Sequence, residues 1–277
     1  IELYGRNLKK LYGEQIVKLK YSLDNPHIYS VGTCDIKNLV LETAGNIQLQ
    51  HSVLKELGYP RIDTLEDLEN ALLAYKAKYP KINGKETLGY SFLADSWYWY
   101  LSLSNPGGYL TGHPDDGQWF VDNESLIAEY KFLNKEMPAF YKWLNRIYHE
   151  GLLDIESFTQ KEDVWQSKVK EGRVLSTSYP LWGLTNLKNY LAENGMEERT
   201  FAYLPVTAGK KYKDPSLKDY GFSGGWGIAV SKSCKDPEKA FKFLDYMCSE
   251  EAQIILNWGI ENVTYYKDEF GKRVSYY

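Results

Sequence analysis

Short apolar runs alternate with helix-patterned stretches along most of this chain, and that alternation restricts it to a layered α/β architecture. Residues 89–93, 174–178, 201–205 and 227–230 read as strands, with a further β-like run at 27–33. The strongest helix start is Thr64, followed three residues later by Asp67, with Leu65, Leu68, Ala71, Leu72 and Tyr75 on one face. That helix should stop before Pro80. Residues 181–194, 237–249 and 250–258 carry the same periodicity, and a shorter helix is expected over 157–171. Residues 1–22 are helix-spaced but broken at Gly5 and Gly13, and 46–58 run through SVLKELG to a C-terminal stop at Gly58. Because strands and helices take turns, the strands are expected to be largely parallel.

Local signals fill in the rest. Asn83-Gly84 marks a turn within 81–87. An aromatic-rich helix over 95–103 is expected to end at Asn105-Pro106-Gly107-Gly108. Residues 111–124 read as a hairpin around Asp115-Asp116-Gly117, with Trp119, Phe120 and Val121 on its second arm. A long helix is expected over 125–150, interrupted at Pro138 and closed by Gly151, and a last hairpin around 268–271. There is no internal repeat and no low-complexity linker.

Composition excludes several classes of function. A formal charge of -4 argues against a binder of nucleic-acid backbone. No run of about 18 apolar residues is present to span a membrane. Cys34, Cys234 and Cys248 lack metal-ligand spacing and are expected to be small buried thiols. His27, His51, His113 and His149 lack it too, and Asp115-Asp116-Gly117 lacks the alternating ligands of a calcium loop, so no metal is expected. Nucleotide-loop and nucleophile-elbow motifs are missing, and the Gly-rich run 221–227 has no phosphate-loop lysine. No catalytic residues and no cofactor are assigned. The first residue is Ile1, as in a processed or cut chain.

What stands out is aromatic content: Tyr 24, Phe 10 and Trp 8, or 15% of the chain, which excludes disorder. Trp97, Tyr98, Trp99 and Tyr100 are consecutive, so on a helix they cannot all face one core stripe. A flat ring with Asp95 beside it suits a sugar, whose apolar face stacks while polar groups take the hydroxyls. Tyr179 and Trp182 flank Pro180 at a strand-to-helix turn, where α/β folds gather ligand sites. Trp226 lies in the Gly-rich run. Trp119, Trp143, Trp165 and Trp258 are expected in the core. For each candidate ring, core packing is the competing explanation.

Several stretches resemble one known family. Residues 139–160 (AFYKWLNRIYHEGLLDIESFTQ) and 227–259 (GIAVSKSCKDPEKAFKFLDYMCSEEAQIILNWG) are similar to segments of the large extracellular solute-binding lipoproteins (family 1) of bacterial ABC sugar importers. So are the helix entry at 53–79 and the strand at 24–31. The resemblance implies a two-lobe periplasmic-binding-protein-like α/β fold with ligand in the interlobe cleft. Residues 1–34 and 205–257 would be part of the N-terminal lobe and 35–204 the C-terminal lobe. Residues 258–277 would be the third crossing and a truncated return segment. Family members are longer, so the chain is expected to be a fragment.

The resemblance further implies capture of a carbohydrate, an oligosaccharide, handed to the permease's transmembrane subunits. It implies an extracellular, monomeric, non-enzymatic protein held at the cell surface by a lipid anchor outside this stretch. Carried over by position, it points to Asp95, Trp97, Tyr179 and Trp182, to which Trp99 and Trp226 are added from the residues themselves. Relatives often carry an Arg-x-Asp pair where this chain has Gln50 and Ser52, and an acidic loop where it has KINGKET. A same-fold binder of another polar solute such as a peptide, or a glycan-acting enzyme, are the alternatives.

Overall fold

A computed structural model describes residues 1–32, 39–41, 45–113, 117–121, 125, 127–219 and 227–276. The chain divides into two compact units, Ile1–Asn38 with Tyr220–Tyr277, and Leu39–Asp219.

The larger unit is built on a four-stranded sheet. Its elements are β1 (Ile47–Gln50), β2 (Leu88–Tyr90), β3 (Trp119–Val121), β4 (Ala128–Tyr130), β5 (Val174–Thr177) and β6 (Phe201–Leu204), with helices α1 (Leu65–Lys78), α2 (Pro138–His149), α3 (Glu162–Lys170) and α4 (Leu181–Glu193). The sheet order is β6-β1-β5-β2. Only β2 and β5 are parallel; β6 with β1 and β1 with β5 run antiparallel. The expectation of largely parallel strands is therefore corrected. Element alternation dictates the layers, but β1 enters from outside the βα succession and runs against its neighbours.

The sheet is sandwiched. Ile47, Leu49 and Leu175 join a core with Leu68 and Leu72 of α1 and Phe140, Trp143 and Ile147 of α2. Val174 joins a second core with Trp165 and Val169 of α3 and Leu184, Leu187 and Leu191 of α4. Adjacent residues of β5 thus serve opposite faces, as strand alternation requires. Burying each such aliphatic side chain contributes roughly 1.5–3 kcal/mol.

Local chemistry sets most boundaries. Thr64 accepts from the Asp67 backbone N–H and Asp67 accepts from the Thr64 N–H, a reciprocal capping box at the start of α1. Asn83 and Gly84 both take positive φ, 52° and 77°, and close the small hairpin Lys81–Ile82/Lys85–Glu86. Other expectations fail. Val121 pairs forward with Ala128, so 119–121 is the first arm of a hairpin and 128–130 is strand, not helix. Pro138 starts α2 instead of interrupting it, because at the first turn its missing N–H costs nothing.

Asn105-Pro106-Gly107-Gly108 does not end the preceding helix. A π-helical turn, Tyr100–Ser104, runs into a helix at Asn105–Tyr109. The glycine at 107 serves packing: a Cβ there would lie 2.7 Å from the Met137 sulfur.

The smaller unit holds helix Arg6–Tyr12, strands Val31–Gly32 and Gly227–Ile228 paired antiparallel, and helices Pro237–Met247 and Glu250–Trp258. Asp245 accepts from the Leu8 N–H at 2.9 Å and from Asn7 at 3.1 Å, tying the first helix to the Pro237–Met247 helix. A terminal hairpin, Tyr265–Lys267/Arg273–Ser275, turns at Gly271. Cys234 and Cys248 are half-buried, not enclosed as expected, and Cys34 lies outside the described residues. Among the described residues, no helix is long and apolar enough to cross a membrane.

Candidate ligand site

Parallel pairing of β2 with β5 places their C-terminal ends at one edge of the sheet, where open α/β sheets bind ligands. Asp95 follows β2 and Tyr179 follows β5. Two chain segments distant in sequence, 95–98 and 179–182, meet there.

Ser96 has φ 53°, a left-handed conformation that costs a non-glycine residue about 1–2 kcal/mol. It turns the chain between Asp95 and the aromatic run. Trp97 emerges 51% exposed, and Trp182, from the first turn of α4, is 61% exposed. Their rings are near-parallel, 15° apart, with centroids at 6.1 Å. Tyr98 lies under Trp97 at 4.6 Å and 26°, and stacks in turn on Tyr179 at 5.8 Å. Tyr179 rests on Trp165, fully buried, at 4.6 Å. The result is a graded stack with a rigid buried base and an indole surface.

Polar contacts hold the base. The Tyr179 N–H donates to Gln48 Oε1 at 2.8 Å, and Gln48 is fully buried. Tyr98 donates its hydroxyl to Glu162 at 2.8 Å; burial first, and then the Glu162 carboxylate, push this phenol above its ordinary value. Burial, and then the neighbouring Tyr98, push the Tyr179 phenol up strongly. Asp95 accepts from Lys161 at 2.8 Å, a largely exposed pair worth little by itself.

The expected site residues therefore divide. Asp95, Trp97 and Trp182 come together at the surface. Tyr179, expected at the ligand surface, is 1% exposed and forms the base. Trp99 points elsewhere, its ring 6.5 Å from Phe132. Trp226 lies outside the described residues. Gln48, Lys161 and Glu162 carry no signal in the sequence, and Tyr98 stands out there only as one of four consecutive rings: their roles arise from contacts 64 to 131 residues apart, which no local pattern carries. Trp143 and Trp165 are core as expected, but Trp119 and Trp258 are 50% and 37% exposed.

Gln50 and Ser52 do not face a ligand. Both are buried, and Arg199 donates to Gln50 Oε1 at 3.2 Å, to Ser52 at 3.4 Å and to the Tyr75 hydroxyl at 3.1 Å. A guanidinium delivered from a distant turn joins this pair to α1. In the KINGKET turn, Glu86 is ion-paired with Lys76 at 2.9 Å.

An α/β unit with an aromatic platform at the carboxyl edge of its sheet offers a stacking surface where open α/β sheets bind ligands. The chain belongs to the bacterial extracellular solute-binding protein family, whose model matches residues 41–258. It is 26% identical over 219 residues to "Lipoprotein LipO" of Bacillus subtilis, covering 76% of this chain and 42% of that protein. It is 26% identical over 193 residues to the "Maltodextrin-binding protein MdxE" of the same organism, covering 68% of this chain and 40% of that protein. The chain thus spans less than half the length of these relatives. Among solved structures, the S. pneumoniae ABC-transporter substrate binding protein FusA in complex with kestose superposes with a TM-score of 0.65. That match has 20% identity and covers 99% of this chain and 56% of FusA.

Proposed function

We propose that this chain is part of a substrate-binding component of an ABC importer that captures a carbohydrate, an oligosaccharide, by ring stacking and hydrogen bonding. The observation that carries the reading is the Trp97–Trp182 pair: two near-parallel indoles, both more than half exposed, on a buried base. Solvent exposure of paired tryptophans in a rigid setting leaves apolar area that a sugar ring covers on binding. Asp95 and Lys161 flank the platform as hydroxyl partners. Tyr98 and Tyr179 set the height and tilt of the indoles. Trp226 belongs to the same proposal on sequence grounds. Residues 35–204 are taken as the C-terminal lobe of the resembled fold, and 1–34 with 205–257 as part of its N-terminal lobe; the larger compact unit differs from this division in also including 205–219.

The names of MdxE and of the kestose complex support a glycan ligand. The name of LipO and the family description support an extracellular, lipid-anchored protein, and the name of FusA, an ABC-transporter substrate binding protein, supports delivery to a permease. We take it to act as a monomer, and without chemistry. Its family is one of binding proteins, and two carboxylates bonded to the platform segments, Asp95 and Glu162, are engaged by Lys161 and Tyr98.

The test is calorimetry of the intact protein against malto- and fructo-oligosaccharides and peptides. Binding of a glycan, lost in Trp182→Ala without loss of the thermal transition, is expected. A response to peptides and to no sugar would overturn the carbohydrate reading; unfolding of Trp182→Ala would make Trp182 a structural residue.

A further inference from the structure

A second row of aromatic rings lies in the same unit, apart from the Trp97–Trp182 pair. Trp119 of β3 and Tyr130 of β4 are directly opposite one another across the hairpin, with centroids 5.6 Å apart. Phe132 follows at 5.5 Å from Tyr130, and Trp99 at 6.5 Å from Phe132. All four are exposed, at 50%, 37%, 38% and 41% in that order. The hairpin is not loosely held. Phe120, on its opposite face, is 5% exposed and stacks on His113 at 3.9 Å and 5°. Beneath the row the buried Lys131 ammonium sits 4.2 Å from the centre of the Tyr100 ring and 5.6 Å from that of Phe132. One face of the hairpin is anchored while the other holds its rings outward.

We infer that Trp119, Tyr130, Phe132 and Trp99 form a second carbohydrate-stacking row, on which the distal units of a long glycan lie while its first units occupy the Trp97–Trp182 platform. The inference rests on the proposed glycan reading and extends it to ligand length. Three features carry it. An exposed run of large aromatics on a single unit marks a binding surface. Trp99 is two residues from Trp97, so although their rings point different ways, the backbone positions that carry the row and the platform lie within about 7 Å of each other. Successive ring planes are tilted by 64°, 60° and 38°, which suits a chain that rotates at each linkage rather than a flat ligand. The faces offered are π surfaces, which stack on the C–H faces of sugar rings.

The test compares short and long members of one series, kestose against a long inulin-type fructan and maltotriose against a long maltodextrin, by calorimetry on the intact protein. Wild type should bind the long member more tightly. Trp119→Ala should reduce affinity for the long member by up to about tenfold more than for the short one. Trp119→Leu, which keeps apolar area on the strand but removes the π face, should do the same and guards against a misfolded hairpin. Loss in Ala but full retention in Leu would mean a generic apolar contact and would overturn the inference. Equal effects on short and long glycans, or none, would overturn it while leaving the proposed function standing. If wild type binds no glycan of either length, both fall together.

Discussion

Gly183 shows how closely one residue governs the platform. A Cβ at this position would lie 2.1 Å from a carbon of the Tyr179 ring. The first turn of α4 can approach Tyr179, and so present Trp182, only without a side chain there. Gly183→Ala should push Tyr179 away, at an overpacking cost of about 1–3 kcal/mol. A lowered melting temperature together with weakened glycan binding is expected; unchanged values in both would show that the ring has room to move. Arg199 makes the complementary point. The resemblance implies an arginine in the segment where this chain has Gln50 and Ser52, and here the guanidinium of Arg199 reaches that pair from far along the chain. The residue was legible as a departure, but not as a substitution made from elsewhere.

At the scale of elements, α3 is pinned by a buried ion pair. Lys168 and Asp154 have side chains only 5% and 4% exposed and meet at 2.8 Å, and Asp154 also accepts from Ser91 at 2.7 Å. Removing Lys168 leaves the Asp154 carboxylate buried without this counter-charge. Lys168→Met should therefore cost about 3–5 kcal/mol in chemical denaturation; a loss under about 1 kcal/mol, the level of an exposed pair, would contradict the burial.

Legibility differs between elements for a physical reason. The start of α1 was readable because a capping box is complete within four residues. The strand 128–130 was not, because its apolar spacing fits a helix and only the pairing with 119–121 decides against it. Asn105-Pro106-Gly107-Gly108 reads as a stop by composition, while the glycine at 107 exists to admit Met137. For the site, helix geometry required at least one of the four consecutive rings to leave the core stripe but did not say which, and the strand-to-helix turn marked Tyr179 and Trp182 without separating them. Burial of Tyr179 depends on Trp165 and Tyr98 arriving from other elements.

For the whole molecule, buried phenols set an alkaline limit. Burial, and then the Glu162 carboxylate, raise the Tyr98 phenol; burial, and then the neighbouring Tyr98, raise that of Tyr179; and burial pushes Tyr203 up to about 12. A phenol held protonated in the fold ionises more readily when unfolded, where its value is near 10. The stabilisation is complete below pH 10 and shrinks as pH rises through the folded values. Denaturation midpoints should hold level up to about pH 10 and fall beyond it, less steeply in Tyr203→Phe. A fall equally steep in that variant would remove Tyr203 from the account.

The parallel indoles of Trp97 and Trp182 have an optical consequence. Two chromophores 15° apart at 6.1 Å couple their transitions, and both are wet, whereas Trp143 and Trp165 are dry. The protein carries its own reporter: occupancy of the platform should blue-shift and rescale part of the long-wavelength emission, to which the exposed Trp99, Trp119 and Trp258 also contribute, leaving the short-wavelength part from the buried pair as an internal standard.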